Sequence, residues 1–169
     1  RALASEIRAG VARDGRVVVD GATIWAYEVD GRGGSVLMDD ANAPSLLALP
    51  YLDGCDGDDA TYLATRRWIL SPANPWWFSG LAGEGIGSPH TGPRRVWPIA
   101  IAMRGLTAIG AGERLAAVRE LGETHAGTFL AHESFDVDDP TSFTRPWFAW
   151  ANALVGELLE RAALDDLLA

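Results

Sequence analysis

Four short stretches of this 169-residue chain carry side chains able to do chemistry outside any helical period: Tyr27 to Gly34 (YEVDGRGG), Leu37 to Pro44 (LMDDANAP), Gly85 to Gly92 (GIGSPHTG) and His132 to Phe135 (HESF). Carboxylates accept paired hydrogen bonds from neighbouring hydroxyls, and amides and imidazoles both donate and accept. Hydroxyl-rich ligands, sugars above all, match such a mixture. Glu133 stands between His132 and Ser134, with Phe135 beside it to lower the local dielectric. A carboxylate so placed suits a general base that activates water, as in an inverting glycosidase whose two carboxyl groups stand about 6.5 to 9.5 Å apart. His-Glu-Ser is a short motif, however, and the residues alone leave open a capping or surface Glu.

The other candidates divide in the same way. Asp39 and Asp40 read either as a ligand-binding pair, one of them a possible general acid, or as the acidic approach to a helix N-terminus. His90 is either a neutral hydrogen-bonding group in a site or a turn histidine satisfied by backbone. His125 and His132 complete the histidines, but no HxH, HExxH or cysteine-rich spacing accompanies them, so no metal is expected. Asp136, Asp138 and Asp139 lack the spacing and central glycine of a calcium loop and read as a solvated turn.

These loops need a scaffold, and its periodicity is helical. Leu3, Ile7 and Val11 recur every four residues in a first amphipathic helix. Val17–Val19 and Ile24–Val29 flank Asp20-Gly21, a hairpin signal. Asn42 can cap a short helix with Pro44 in its first turn, and another helix is expected over 59–70. The Gly-, Pro- and Ser-rich stretch from Ser71 to Pro93 reads as one long loop. Ile99, Ala102, Met103, Leu106 and Ile109 mark a helix opened by Pro98; Leu115, Val118 and Leu121 mark the next. Ala151, Leu154, Val155, Leu158 and Ala162 stripe a last helix over about 147–168. Five or six helices, one hairpin and no βαβ rhythm predict a mainly α architecture.

Composition excludes several functions. A formal net charge of -9, spread along the chain, offers no basic footprint for nucleic acid. No apolar run approaches the roughly 20 residues of a membrane span. With a single cysteine, Cys55, no internal disulfide can form; the compartment stays open, leaning towards the cytoplasm. Of the seven tryptophans, Trp25, Trp68, Trp97, Trp147 and Trp150 are expected mostly in the core, leaving one or two of the seven to meet a ligand.

Taken in order, YEVDG, LMDDAN-P-SLL-LPYL, TR--ILS--NP, GIGSPHTG--VWPIA-AM--LT, HESF and FTRPWFAWAN resemble glycoside hydrolase family 125 from Tyr27 to about Asn152. Gly33-Gly34 and Trp76-Trp77 depart from its pattern. The resemblance implies an (α/α)6 barrel and metal-independent, inverting, exo-acting hydrolysis of α-1,6-linked mannose, with no cofactor and an α-mannoside oligosaccharide or N-glycan-derived substrate. It implies Glu133 as general base and a general acid Asp upstream of Arg1, with Asp39 or Asp40 as the fallback. It places Asp39, Asp40, Asn42 and His90 at the mannose-binding end of the pocket, with Arg145 and Trp147 near its wall. Such a barrel needs about twelve helices, roughly twice what residues 1–169 supply, so the chain is expected to be the C-terminal portion of one barrel domain, inactive alone. A helical-barrel glycosidase for another sugar and a non-catalytic carbohydrate-binding domain are the alternative readings.

Overall fold

The computed structural model describes residues 2–168, which fold into five helices and nine short strands. Helix α1 (Ala2–Asp14) forms where expected, but none of its residues is buried, and Leu3, Ile7 and Val11 lie exposed. β1 (Arg16–Val19) and β2 (Ala22–Trp25) then pair antiparallel, Val19 opposite Ala22. Asp20 and Gly21 both have positive φ, 49° and 80°, as the tight two-residue hairpin turn requires. Ile24 turns inward and is 1% exposed.

The second strand ends at Trp25 instead of reaching Val29. Ala26 donates to the Gly15 carbonyl, and the chain starts a second hairpin of β3 (Glu28–Val29) and β4 (Ser35–Val36). Asp30 Oδ1 closes its loop by accepting from the N–H groups of Arg32 and Gly34.

No helix forms after Asn42. The N–H groups of Leu46 and Leu47 donate to the Asp39 carboxylate at 2.9 and 3.0 Å, so the segment folds as successive turns. Helix α2 (Ala60–Ile69) matches expectation, with Asp59 as N-cap accepting from Tyr62 N–H.

The stretch 71–93 is not one loop. It contains the antiparallel pair β5 (Trp77–Ser79) and β6 (Glu84–Ile86), and β7 (Arg95–Val96) follows. Buried Asn74 fastens it to the turns before α2: its Oδ1 accepts from Asp39 and Trp76 N–H, and its Nδ2 donates to the Asp39 and Ile69 carbonyls.

Helix α3 (Pro98–Leu106) is the core: Ile99 to Met103 are all buried, with α4 (Ala111–Glu123), the C-terminal helix and β6 packed around them. It stops before Ile109, which is exposed. Between them β8 (Ser134–Asp136) lies in the middle of a three-stranded sheet, with β7 on one side and β9 (Phe143–Thr144) on the other. Helix α5 (Ala149–Leu164) is shorter at both ends than the expected 147–168, and buries Ala151, Leu154, Leu158 and Ala162. Gly105 lets Leu158 approach; a Cβ there would lie 2.7 Å from Leu158 Cδ1. No helix among the described residues is long and apolar enough to cross a membrane.

The tryptophans divide differently from expectation. Trp97 is buried and Trp25 and Trp68 are half-buried, whereas Trp147 and Trp150 are exposed. Both lie where β9 leads into α5, and their rings project from that corner instead of entering the α3 core.

Candidate active site

Glu133 immediately precedes the central strand of the three-stranded sheet, so neighbours on both sides fix its backbone. Its N–H donates to the Thr144 carbonyl at 3.1 Å, and Ser134 Oγ and Thr144 Oγ1 share a hydrogen bond of 2.8 Å. On the upstream side Asn152, in α5, accepts from Ala131 N–H at 3.0 Å and donates back to the Ala131 carbonyl at 2.7 Å. Phe135 anchors the other end in the core, fully buried. A carboxylate on so constrained a backbone is pre-aimed, as transition-state stabilisation requires.

The Glu133 side chain is 11% exposed, and its Oε1 lies 3.3 Å from Arg145 Nε. No described residue donates to Oε2. Arg145 holds φ at 44°, in the left-handed region, which costs a non-glycine residue about 1–2 kcal/mol. Such strain persists only where the surroundings impose it. The Arg145 guanidinium lies 5.5 Å from the Phe148 ring centroid; Phe148 packs edge-on against Trp97 at 6.0 Å, and Trp97 Nε1 donates to Thr91 Oγ1 at 2.8 Å. The His90 ring is 6.4 Å from that of Trp97. Side chains from three loops far apart in sequence thus form one continuous line from Glu133 to His90.

The loop of residues 39–42 joins the other side of this frame, Ala41 N–H donating to the Gly87 carbonyl at 3.0 Å. Asp40 Oδ1 accepts from both the backbone N–H and the side-chain amide of Asn42. Tyr27 lies close enough for the charges of Asp40, Asp39 and Glu28 to act on its hydroxyl. Burial first, and those carboxylates second, push that phenol above its ordinary value.

Asp39 goes further than its neighbour, which is itself buried at 8% exposure. It is wholly buried, with both oxygens committed to Leu46 and Leu47 N–H. Desolvation pushes its carboxyl up to about 7, against the opposing pull of the backbone bonds. A carboxyl held there has the protonation a general acid needs, but without exposed surface it cannot meet a glycosidic oxygen. Its present work is to hold the turn beside Asp40. Because the folded value lies above the unfolded one of 3.8, the folded state binds the extra proton, and this stabilisation is complete below about 4 and lost as pH rises through about 7. The stability advantage of the intact protein over its Asp39→Asn variant is therefore larger at pH 5 than at pH 8, by on the order of 2 kcal/mol. Denaturant titrations at the two values measure it, and an advantage independent of pH would refute it.

Glu133, Arg145 and His90 thus belong to one connected surface, and Asp40 and Asn42 adjoin it through Gly87. Trp147, 62% exposed, stands in the chain between Pro146 and Phe148. Sequence reasoning missed Thr91, Trp97 and Phe148 as the bridge, Thr144 and Asn152 as the supports, and Tyr27 as the phenol near Asp40. Tyr27, Thr91, Trp97, Thr144, Phe148 and Asn152 all lie inside the motifs of the family resemblance, which is the signal that could have found them. A separate apolar cavity of about 240 Å³ lies behind the Glu133 segment, lined by residues such as Leu121, Phe129 and Val155. It has no carboxylate in its wall and does not resemble a sugar site. No group of three or more His, Cys, Asp or Glu able to hold a metal ion occurs among the described residues.

The fold and the site thus define a helical scaffold that presents one shielded carboxylate, engaged on one oxygen and open on the other, beside loops whose Asp, Asn and His side chains could pair with ligand hydroxyls. The model of the metal-independent alpha-mannosidase family, GH125, matches residues 1–160, and the chain belongs to that family. It is 45% identical over 160 residues to the meiotically up-regulated gene 157 protein of Schizosaccharomyces pombe, the match covering 92% of this chain and 31% of that protein. Its structure superposes with a TM-score of 0.93, at 44% identity, on a Streptococcus pneumoniae metal-independent alpha mannosidase solved as a non-productive complex with alpha-1,6-mannobiose. That match covers 95% of this chain and 38% of the other. The chain spans about a third of the length of these relatives.

Proposed function

We propose that residues 1–169 form the C-terminal portion of a single (α/α)6-barrel glycosidase domain. In our reading it hydrolyses non-reducing terminal α-1,6-linked mannose with inversion, and Glu133 is the general base. Family membership supports the activity, and the mannobiose bound by the Streptococcus relative supports the linkage. The observation that carries the role of Glu133 is its divided carboxylate: Oε1 faces Arg145, while Oε2 accepts from no described residue and is free to take a proton from water.

In this mechanism the Oε2 lone pair draws a proton from a water as that water attacks the anomeric carbon. The attack comes from the face opposite the leaving oxygen, so the product is β-mannose. A general acid upstream of Arg1 protonates the departing oxygen. Asp40, Asn42 and His90 receive the hydroxyls of the terminal mannose, with Arg145 and Trp147 at the wall of the pocket. Asp39 stays in the proposal as the support beneath Asp40. The natural substrate is a mannose-terminated oligosaccharide, such as one derived from an N-glycan.

The test is to incubate the intact protein with α-1,6-mannobiose and follow the anomeric proton signals by NMR. β-Mannose should appear first and mutarotate later. If α-mannose appears first, inversion and the base role of Glu133 are both wrong. Hydrolysis of glucosides with mannosides left intact would overturn the substrate instead.

A further inference from the structure

The left-handed Arg145 is bracketed by two hydrogen bonds from two consecutive residues. Glu133 N–H takes the carbonyl just before it, that of Thr144 at 3.1 Å, and His132 Nδ1 takes the carbonyl just after it, that of Pro146 at 2.9 Å. A carbonyl only accepts, so in this contact, the shorter of the ring's two contacts with carbonyls, Nδ1 is the donor. The His132 ring is 1% exposed and lies flat on Phe143, with centroids 3.8 Å apart and planes 5° from parallel. Its Nε2 faces the Thr128 hydroxyl at 3.4 Å and the His125 carbonyl at 3.3 Å. His132 lines the apolar cavity behind the Glu133 segment, and none of its ring contacts is with the Glu133 carboxylate.

We propose that His132 is a positioning residue: through the Pro146 carbonyl it holds Arg145 in its left-handed turn and thereby keeps the guanidinium on Glu133 Oε1. The sequence 132–133 thus works as a two-point clamp on 144–146, and the clamped turn returns its side chain to the residue that grips it. Only the Nδ1 side acts on the site. The Nε2 contacts fix the ring against the segment from His125 to Thr128, on the far side. The catalytic consequence rests on the reading of Glu133 as the base; the effect on the Arg145 turn does not.

Two variants separate the two nitrogens. His132→Asn places an amide N–H near the position of Nδ1, and His132→Gln places one near that of Nε2. In the intact protein, Asn should retain the Pro146 bond and kcat on α-1,6-mannobiose within a few-fold. Gln should lose kcat by on the order of 10- to 100-fold, the loss expected when a reacting group shifts by about 1 Å, with KM much less affected. Both remove the same stack on Phe143, so loss of packing alone would lower them together, in step with Tm. That outcome, or full kcat in the Gln variant, overturns the proposal. The NMR signal of Arg145 Nε–H provides a readout independent of turnover. It should shift in the Gln variant, as it should in Glu133→Ala, and stay near its native position in the Asn variant; an unmoved signal in the Gln variant also overturns the clamp. A shifted signal in the Gln variant together with undiminished hydrolysis by Glu133→Gln would instead keep the clamp and discard Glu133 as the base.

Discussion

Replacing Glu133 by Gln in the intact protein should lower kcat on α-1,6-mannobiose by about 10³-fold, within the 10²- to 10⁴-fold range that a positioned general base contributes. Gln matches Glu in size, and its carbonyl oxygen can occupy the place of Oε1 beside Arg145 Nε, so the geometry survives while the proton acceptor is lost. The backbone bond from residue 133 to Thr144 does not depend on the side chain. Tm should therefore change little, which separates a chemical effect from a folding one. Added azide sharpens the test, because an anionic nucleophile needs no base to deprotonate it. Azide should restore turnover of an activated α-mannoside, with β-mannosyl azide as the product. Undiminished hydrolysis by the Gln variant would remove Glu133 from the mechanism, and an α-mannosyl azide product would point to a different geometry of attack.

Replacing Gly87 by Ala should have the largest effect on stability, about 3 kcal/mol or more. A Cβ at this position would lie 2.2 Å from the Arg95 carbonyl oxygen and 2.8 to 3.0 Å from the Phe78 ring. The first obstacle is backbone and cannot rotate away, so the change exceeds ordinary overpacking, which costs about 1–3 kcal/mol. β7 has to move, and it is paired to β8, next to Glu133. Gly87 also donates to the Trp76 carbonyl and accepts from Ala41, so the loop carrying Asp40 and Asn42 would move with it. Activity should fall together with the denaturation midpoint. The matched control is Gly156→Ala on the exposed side of α5, where nothing lies within 4 Å of the added carbon. There, replacing a helical glycine should stabilise by about 0.5–1 kcal/mol. Equal stability of Gly87→Ala and the native protein would mean that β6 and β7 do not approach as closely as described.

Local rules of sequence account for much of the scaffold. Asp59 caps α2, Pro98 opens α3, and Ala151, Leu154, Leu158 and Ala162 lie on the buried side of α5, because helix periodicity and capping depend only on residues within a few positions of one another. Asp20-Gly21 makes its turn for the same reason. The ordered motifs led to the family and to Glu133 as the carboxylate worth testing.

Other features could not be read this way. Strands of two or three residues, such as β7, β8 and β9, are too short to show a period. Leu3, Ile7 and Val11 form the apolar face that spacing predicts, but spacing does not determine what covers a face, and here it lies exposed. The expected helix after Asn42 lost its donors to Asp39, seven and eight residues earlier, which also turned a candidate ligand group into a buried support. Sequence by itself determined where α2 and α3 begin, which side of α5 is buried, where the hairpin turns and which glutamate to test. Tertiary structure alone decided that Arg145 faces that glutamate, that Asp39 is wholly buried while Asp40 keeps 8% exposure, and that Trp97 and Phe148 link His90 to the same surface. Each of these depends on contacts between segments distant in the chain, where burial and hydrogen-bond satisfaction outweigh local preference.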